Sequence, residues 1–244
     1  LALLPAAVPV DAGTVRVAVA SNFVATAAAL GESFEADTGH EVELIPGSSG
    51  KLYAQIVNGA PFDLFLSADA ERPARLEAEG FAVAGSRRTY AEGRLVAWSS
   101  APAPDGSACL AALRPGVAGK VAIANPVIAP YGAAARAYLE HAGFWADVEP
   151  RLVYGENIAQ TLQFAAGGGA VVALVAAAQL TGDNAPKGVC AEPLPGDSHP
   201  PIAQQLVLLE RAAESDAASA FLDYLASDAA RARIEASGYA VPAP

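Results

Sequence analysis

A chain of 244 residues, 53% apolar and 17% charged, is long enough for one large domain or two compact lobes and too hydrophobic to stay disordered. Its formal charge of −11 argues against nucleic acid or an anionic membrane as a partner, but not against a small anion held by neutral donors. The longest apolar run, AVVALVAAAQL (170–180), is about half of the roughly 20 residues a bilayer requires.

The sequence contains no methionine and begins LALLPAAVPVDAG, an apolar stretch followed by small residues. Residues 1–13 are expected to be a signal-peptide remnant or an N-terminal extension of an exported chain. TVRVAVA (14–20) alternates as a strand, with Val15, Val17 and Val19 on one face. The helix after it carries Phe23, Ala27, Leu30 and Phe34 at helical spacing and stops at Gly39. EVELI (41–45) predicts a second strand, SGKLYAQIVNG a helix ending at Gly59, DLFLS (63–67) a third strand and DAERPARLEAEG a third helix. This β-α-β-α-β-α order predicts a parallel sheet covered by helices.

Beyond TYAEGRLVAWS the alternation restarts, with strands over 94–99, 120–126, 151–155 and 170–175 and helices over 131–143 and 157–168. The Pro- and Gly-rich stretch 181–201 reads as a loop. A strand over 202–210 and helices around 213–226 and 228–237 complete the chain. Two α/β lobes are expected, 14–90 plus 203–244 and 91–202, with crossings near 88–94 and 197–204.

Four times a strand gives way to a helix through small hydroxyl, amide or glycine-flanked residues: AVASNF (Ser21, Asn22), IPGSSGK (Ser48, Ser49), NPVIAPYGA (Pro130, Tyr131, Gly132) and YGENIAQ (Asn157, Ile158). A helix N-terminus has unpaired N–H groups and a partial positive charge, so each turn is a potential anion contact. Any one of them is explained as well by simple N-capping. Four turns, two per lobe, can surround one anion at the carboxyl ends of the strands.

GSSGK is not a nucleotide loop: two residues, not four, separate Gly47 from Gly50-Lys51, and Leu52 stands where a magnesium-binding hydroxyl is needed. A serine hydrolase would require a G-x-S-x-G elbow, which PGSSGK does not have, and a general base near Ser49. His40, His141 and His199 are isolated, without metal-ligand spacing. Asp69 reads as a helix cap, and Trp98 and Trp145 as core or lobe-surface residues. Cys109 and Cys190 have neither metal-ligand nor redox-motif spacing; a disulfide in an oxidising compartment and two buried thiols are both open readings.

ASNF, GHEVELIPGSSGKLYAQIVNGAPFDLFLSAD, GFAVAGSRRTYAEGRLVAWS, IANPVIAPYGAAA and SGYAVP, in that order, resemble the periplasmic molybdate-binding proteins, the receptors of molybdate ABC transporters. The likeness is closest to the type from nitrogen-fixing soil bacteria and runs over nearly the whole chain from about residue 14. It implies an α/β type II periplasmic-binding-protein fold with a hinge and an interlobe cleft, in a periplasmic monomer. It also implies no catalytic activity, no cofactor and no cation ligands, with a membrane permease as partner. The ligand implied is molybdate or tungstate, held by neutral hydrogen bonds. These come from Ser21 and Asn22, from Ser49 with Ser48 beside it, from the Tyr131 N–H, and from the Ile158 N–H next to Asn157. Some members reach the oxyanion with a tyrosine hydroxyl from the strand here written AVVALVAAA. Val175 and Ala176 stand there instead, implying the subgroup without that contact, with Asn22 as its substitute. A receptor for sulfate or a phosphonate is the alternative, and a sensory version of the same fold is a third reading.

Overall fold

The structure, a computed structural model, describes residues 12–182 and 185–242. The leader expected over 1–13 falls almost wholly outside these residues. Two five-stranded sheets organise the described residues.

In the first, β1 (Thr14–Ala20) lies between β2 (Glu41–Gly47) and β3 (Leu64–Leu66), all parallel. Helices α1 (Val24–Thr38), α2 (Ser49–Val57) and α3 (Glu71–Ala78) follow these strands in turn. The β1–β2 register pairs Ala20 with Gly47, so both strands end level and the next turns emerge side by side. Gly39 closes α1 in the left-handed conformation that glycine adopts without steric cost, and its N–H donates to the Glu35 carbonyl.

The first sheet is mixed rather than wholly parallel. β10 (Ile202–Leu208) runs antiparallel between β3 and β4 (Arg88–Gly93). The cause is topological: β4 leads out to the second sheet, and the chain returns from there, so β10 enters beside β4 in the opposite direction. Residues 88–93, read from sequence as part of a crossing, are therefore a strand, and only Arg94 separates β4 from the next one.

The second sheet has the order β7-β6-β8-β5-β9. β6 (Val121–Ala124) is parallel to β7 (Leu152–Gly155) and β8 (Val172–Ala176), whereas β5 (Leu95–Ser99) is antiparallel to β8 and β9 (Cys190–Pro193). Helix α4 (Pro130–His141), the short α5 (Trp145–Val148) and α6 (Ile158–Ala166) belong to this lobe. Helices α7 (Asp216–Leu225) and α8 (Asp228–Ala236) return to the first, where Phe221 meets Phe34 with ring centroids 4.9 Å apart.

Both faces of β1 are buried. Val15, Val17 and Val19 pack with Phe23, Leu30 and Phe34, while Ala18 faces Leu52, Ile56, Phe65 and Leu76. The second lobe's core gathers Val121, Ile123 and Leu174 with Tyr131, Tyr138 and Leu139 of α4. Trp98 is buried between its strands, and Trp145 lies under the Arg136 guanidinium at 4.9 Å.

Strand β9 lies inside the stretch read as loop. It is a four-residue edge strand, too short to display a period, and a disulfide holds it. Cys109, in a short 3₁₀ turn (Cys109–Leu113), bonds to Cys190 with an S–S distance of 2.08 Å, across 81 residues of sequence. Cross-linking a loop of this length restricts the unfolded chain. Replacing both cysteines by serine is therefore expected to lower stability by about 2–5 kcal/mol in denaturant titrations. Neither cysteine reaches the cavity described next, so ligand affinity of the folded variant is expected to be unchanged.

Candidate functional site

All seven residues singled out for anion contact, Ser21, Asn22, Ser48, Ser49, Tyr131, Asn157 and Ile158, line one small cavity between the lobes. It lies at the carboxyl ends of β1, β2, β6 and β7, where the turns into α1, α2, α4 and α6 converge. Among the described residues, no side chain of Asp, Glu, Lys, Arg or His lines it.

Three of these turns differ from the starts of the two C-terminal helices. Ser215 and Ser227 cap α7 and α8 by accepting from Ala218 N and Ala230 N. At the cavity, α1, α2 and α4 have no side-chain cap. Ser48 occupies the N-cap position of α2, yet its Oγ bonds to nothing and is the single enclosed side-chain polar atom without a partner among the described residues. Leaving a buried hydroxyl unpaired costs about 1–3 kcal/mol, so its retention points to a partner from outside the chain.

The backbone repeats the pattern. Among the described residues, the N–H groups of Asn22, Ser49, Tyr131 and Ile158 donate to no protein acceptor, giving two free donors from each lobe. Other N–H groups of the same turns are committed: Ser21 N–H donates to the Gly47 carbonyl at 2.9 Å, and Gly50 N–H to the Ile128 carbonyl at 2.8 Å. Ser49 Oγ accepts from Ala68 N at 2.9 Å, which leaves its own hydrogen free for the cavity. Asn157 is the exception, a true N-cap whose Oδ1 accepts from Gln160 N at 3.0 Å; it contributes wall rather than a free oxygen.

The lobes meet around the cavity. Besides the Gly50–Ile128 bond, Lys51 Nζ donates to Glu156 at 2.6 Å and Arg72 Nη2 to the Val127 carbonyl at 3.3 Å. Lys51, whose place in GSSGK imitates a phosphate loop, thus spends its charge on a carboxylate across the cleft. Gly50 is required there, because an added Cβ would stand 2.9 Å from the Ile128 Cα. Asp69 accepts from Arg72 N at 3.0 Å, capping the start of α3, and Asp63 accepts from Arg16 N and from Arg211.

Behind the cavity lies a polar cluster that sequence reasoning did not single out: Tyr90, Gln204 and Tyr239, hydrogen-bonded to Asn22 and Tyr131. Its one signal in the sequence is the glutamine pair in the otherwise apolar strand IAQQLVL, of which Gln204 is the buried member. Burial raises the hydroxyl pKa of all three tyrosines, Tyr90, Tyr131 and Tyr239, so they remain neutral in the working range. A raised folded pKa gives stability that is complete below the ordinary tyrosine value and is lost as pH climbs from there through the raised folded value.

A family model for bacterial extracellular solute-binding proteins matches residues 15–240. The chain is 45% identical over 236 residues to the molybdate-binding protein ModA of Rhodobacter capsulatus, which covers 96% of this chain and 90% of that protein. To ModA of Azotobacter vinelandii it is 44% identical over 230 residues, covering 94% and 90%. The solved structure of the Azotobacter vinelandii periplasmic molybdate-binding protein superposes with a TM-score of 0.86 at 38% identity, covering 94% of this chain and all of that one. The shared two-lobed fold, the extent of the match and this level of identity together place the chain among the bacterial extracellular solute-binding proteins, as a member of the family that includes the ModA proteins.

Proposed function

We propose that this protein is a periplasmic receptor that binds molybdate or tungstate between its lobes and delivers it to the permease of an ABC transporter. It is a solute-binding protein, not an enzyme. The observation that carries the reading is Ser48 Oγ, the enclosed hydroxyl without a partner, in a cavity that also collects four unpaired backbone N–H groups.

A tetrahedral dianion accepts hydrogen bonds and donates none. The free donors here, the hydroxyls of Ser21, Ser48 and Ser49 and the N–H groups of Asn22, Ser49, Tyr131 and Ile158, suit such an ion. They disfavour monoprotonated phosphate, whose O–H finds few acceptors. The N-termini of α2, α4 and α6 add favourable dipoles, so the anion needs no formal positive charge despite the chain's −11. Sulfate matches in charge and shape but is smaller, and turns braced by Ser21–Gly47 and Gly50–Ile128 would resist shrinking around it. Molybdate and tungstate are nearly isosteric and are expected to bind alike.

The protein is taken as a monomer whose two lobes hinge where β4 passes into β5 and where the chain enters β10. Closure buries the anion and sets Lys51 against Glu156. A thermal-shift and calorimetric series with molybdate, tungstate, sulfate, phosphate and chromate tests the reading. Molybdate and tungstate at about a thousand times Kd are expected to add roughly 4 kcal/mol of stability. A large shift with sulfate and none with molybdate would replace the ligand with another oxyanion.

A further inference from the structure

The side chain of Tyr131 runs from the anion cavity to the junction of the two lobes. Its N–H, in the first turn of α4, is one of the four free donors, and the residue is 1% exposed. The core cluster to which the ring belongs takes in residues of both lobes. Ala20 directly precedes Ser21, and Ala68 donates its N–H to Ser49 Oγ. Leu95 and Ile202, in the same cluster, begin the strands β5 and β10 that follow the two crossings.

At its far end the Tyr131 hydroxyl meets Gly93, the last residue of β4. Gly93 pairs in register with Ile202, the first residue of β10, so both crossings pass side by side where the hydroxyl stops. A Cβ added to Gly93 would overlap the Tyr131 hydroxyl oxygen. It would also lie 2.8 Å from Cζ of the ring and 2.9 Å from Gln204 Nε2. The backbone does not call for glycine here, because Gly93 is not among the residues with positive φ. What glycine supplies is space, on a strand of one lobe, for a ring carried by the other.

We propose that Gly93 is a positioning residue for the anion site, acting through Tyr131. Its bare Cα is the seat on which the ring rests, and the seated ring fixes the Tyr131 N–H at the cavity. This rests on the oxyanion reading above. The ring is a rigid plate enclosed by packed side chains, and a close-packed interior transmits a displacement rather than absorbing it. Gln204, fully buried beside the hydroxyl and held by Asn22 and Tyr90, offers no room for retreat. A methyl group at position 93 is therefore a wedge between the first sheet and the second lobe. It shifts the N–H groups of Tyr131 and Ile158 relative to those of Asn22 and Ser49, and one anion no longer meets all four.

The test is the calorimetric molybdate affinity of Gly93→Ala, Tyr131→Phe and the pair, in protein freed of bound anion. Gly93→Ala is expected to bind about tenfold or more weakly than the wild type. Tyr131→Phe removes the oxygen that the methyl group strikes and keeps the backbone N–H. It is expected to tighten binding severalfold in the Gly93→Ala background and not in the wild-type background. A distortion confined to β4, a merely structural effect, would not be relieved by a change in the other lobe. Wild-type affinity in Gly93→Ala, no tightening of it by Tyr131→Phe, or tightening in both backgrounds would overturn the positioning role while leaving the oxyanion site intact. If Gly93→Ala does not fold alone, the pair decides. A pair that folds and binds molybdate supports the role, and a pair that fails to fold or to bind overturns it. Failure of the wild type itself to bind molybdate would sink the oxyanion reading, and this role with it.

Discussion

Gly132→Ala is expected to weaken molybdate binding about a hundredfold and to lower the melting temperature of the ligand-free protein by several degrees. Gly132 sits in the first turn of α4, directly after Tyr131. An added Cβ would lie 2.6 Å from the carbonyl carbon of Ala124 and 2.9 Å from that of Asn125, and closer still to the Ala124 carbonyl oxygen. These are backbone atoms at the end of β6, so no side chain can move aside. The start of α4 must lift instead, and overpacking of this kind costs about 1–3 kcal/mol or more. Lifting it displaces the Tyr131 N–H on the cavity side and the Tyr131 hydroxyl on the Gln204 side together. Gly143→Ala is the control. It lies just beyond the same helix with φ of 72° and nothing within 4 Å of an added Cβ, so it should lose stability but keep its affinity. If Gly132→Ala binds molybdate as tightly as the wild type, the turn into α4 is not part of the site.

The second large effect is a contrast between adjacent serines. Ser49→Ala removes a hydroxyl that accepts from Ala68 N, so a buried N–H loses its partner. Molybdate affinity is expected to fall by more than tenfold, and ligand-free stability by about 1–3 kcal/mol. Ser48→Ala removes a hydroxyl that bonds to nothing in the protein. Its affinity is expected to fall by about tenfold with no loss, or even a gain, in ligand-free stability. Calorimetry and urea titration of the two variants separate these outcomes. Equal loss of stability in both would mean that Ser48 has a partner within the chain; unchanged affinity in both would remove the second turn from the site.

Much of this site was legible because it is made of local features. Ser21, Ser48, Ser49, Tyr131 and Ile158 each stand where a strand-like run meets a helix-like one, and unpaired N–H groups at helix starts follow from chain geometry alone. That three of the helices around the cavity begin without a side-chain cap was not legible: Ser48 has the residue type of a cap, and only packing denies it that role. Asn157, equally placed in the sequence, does serve as a cap. Strand β4 was obscured because RTYAEG has no alternation, and β9 because four residues at a sheet edge need the Cys109–Cys190 bond more than a pattern.

The layer behind the cavity depends on contacts between distant parts of the chain. Asn22 meets Gln204 across 182 residues and Tyr239 across 217, and β10 brings Gln204 there only because it returns antiparallel beside β4. The sequence by itself determined the alternating α/β order, the four turns and the neutral chemistry of their donors. These depend on periodicity, helix termini and residue type, which act over a few residues. Only the tertiary structure decided which of those donors stay unpaired, how the two lobes meet at Gly50 and Lys51, and which buried amide stands behind Asn22. Such choices depend on what arrives from elsewhere in the chain to satisfy or crowd each group, and no local pattern encodes that arrival.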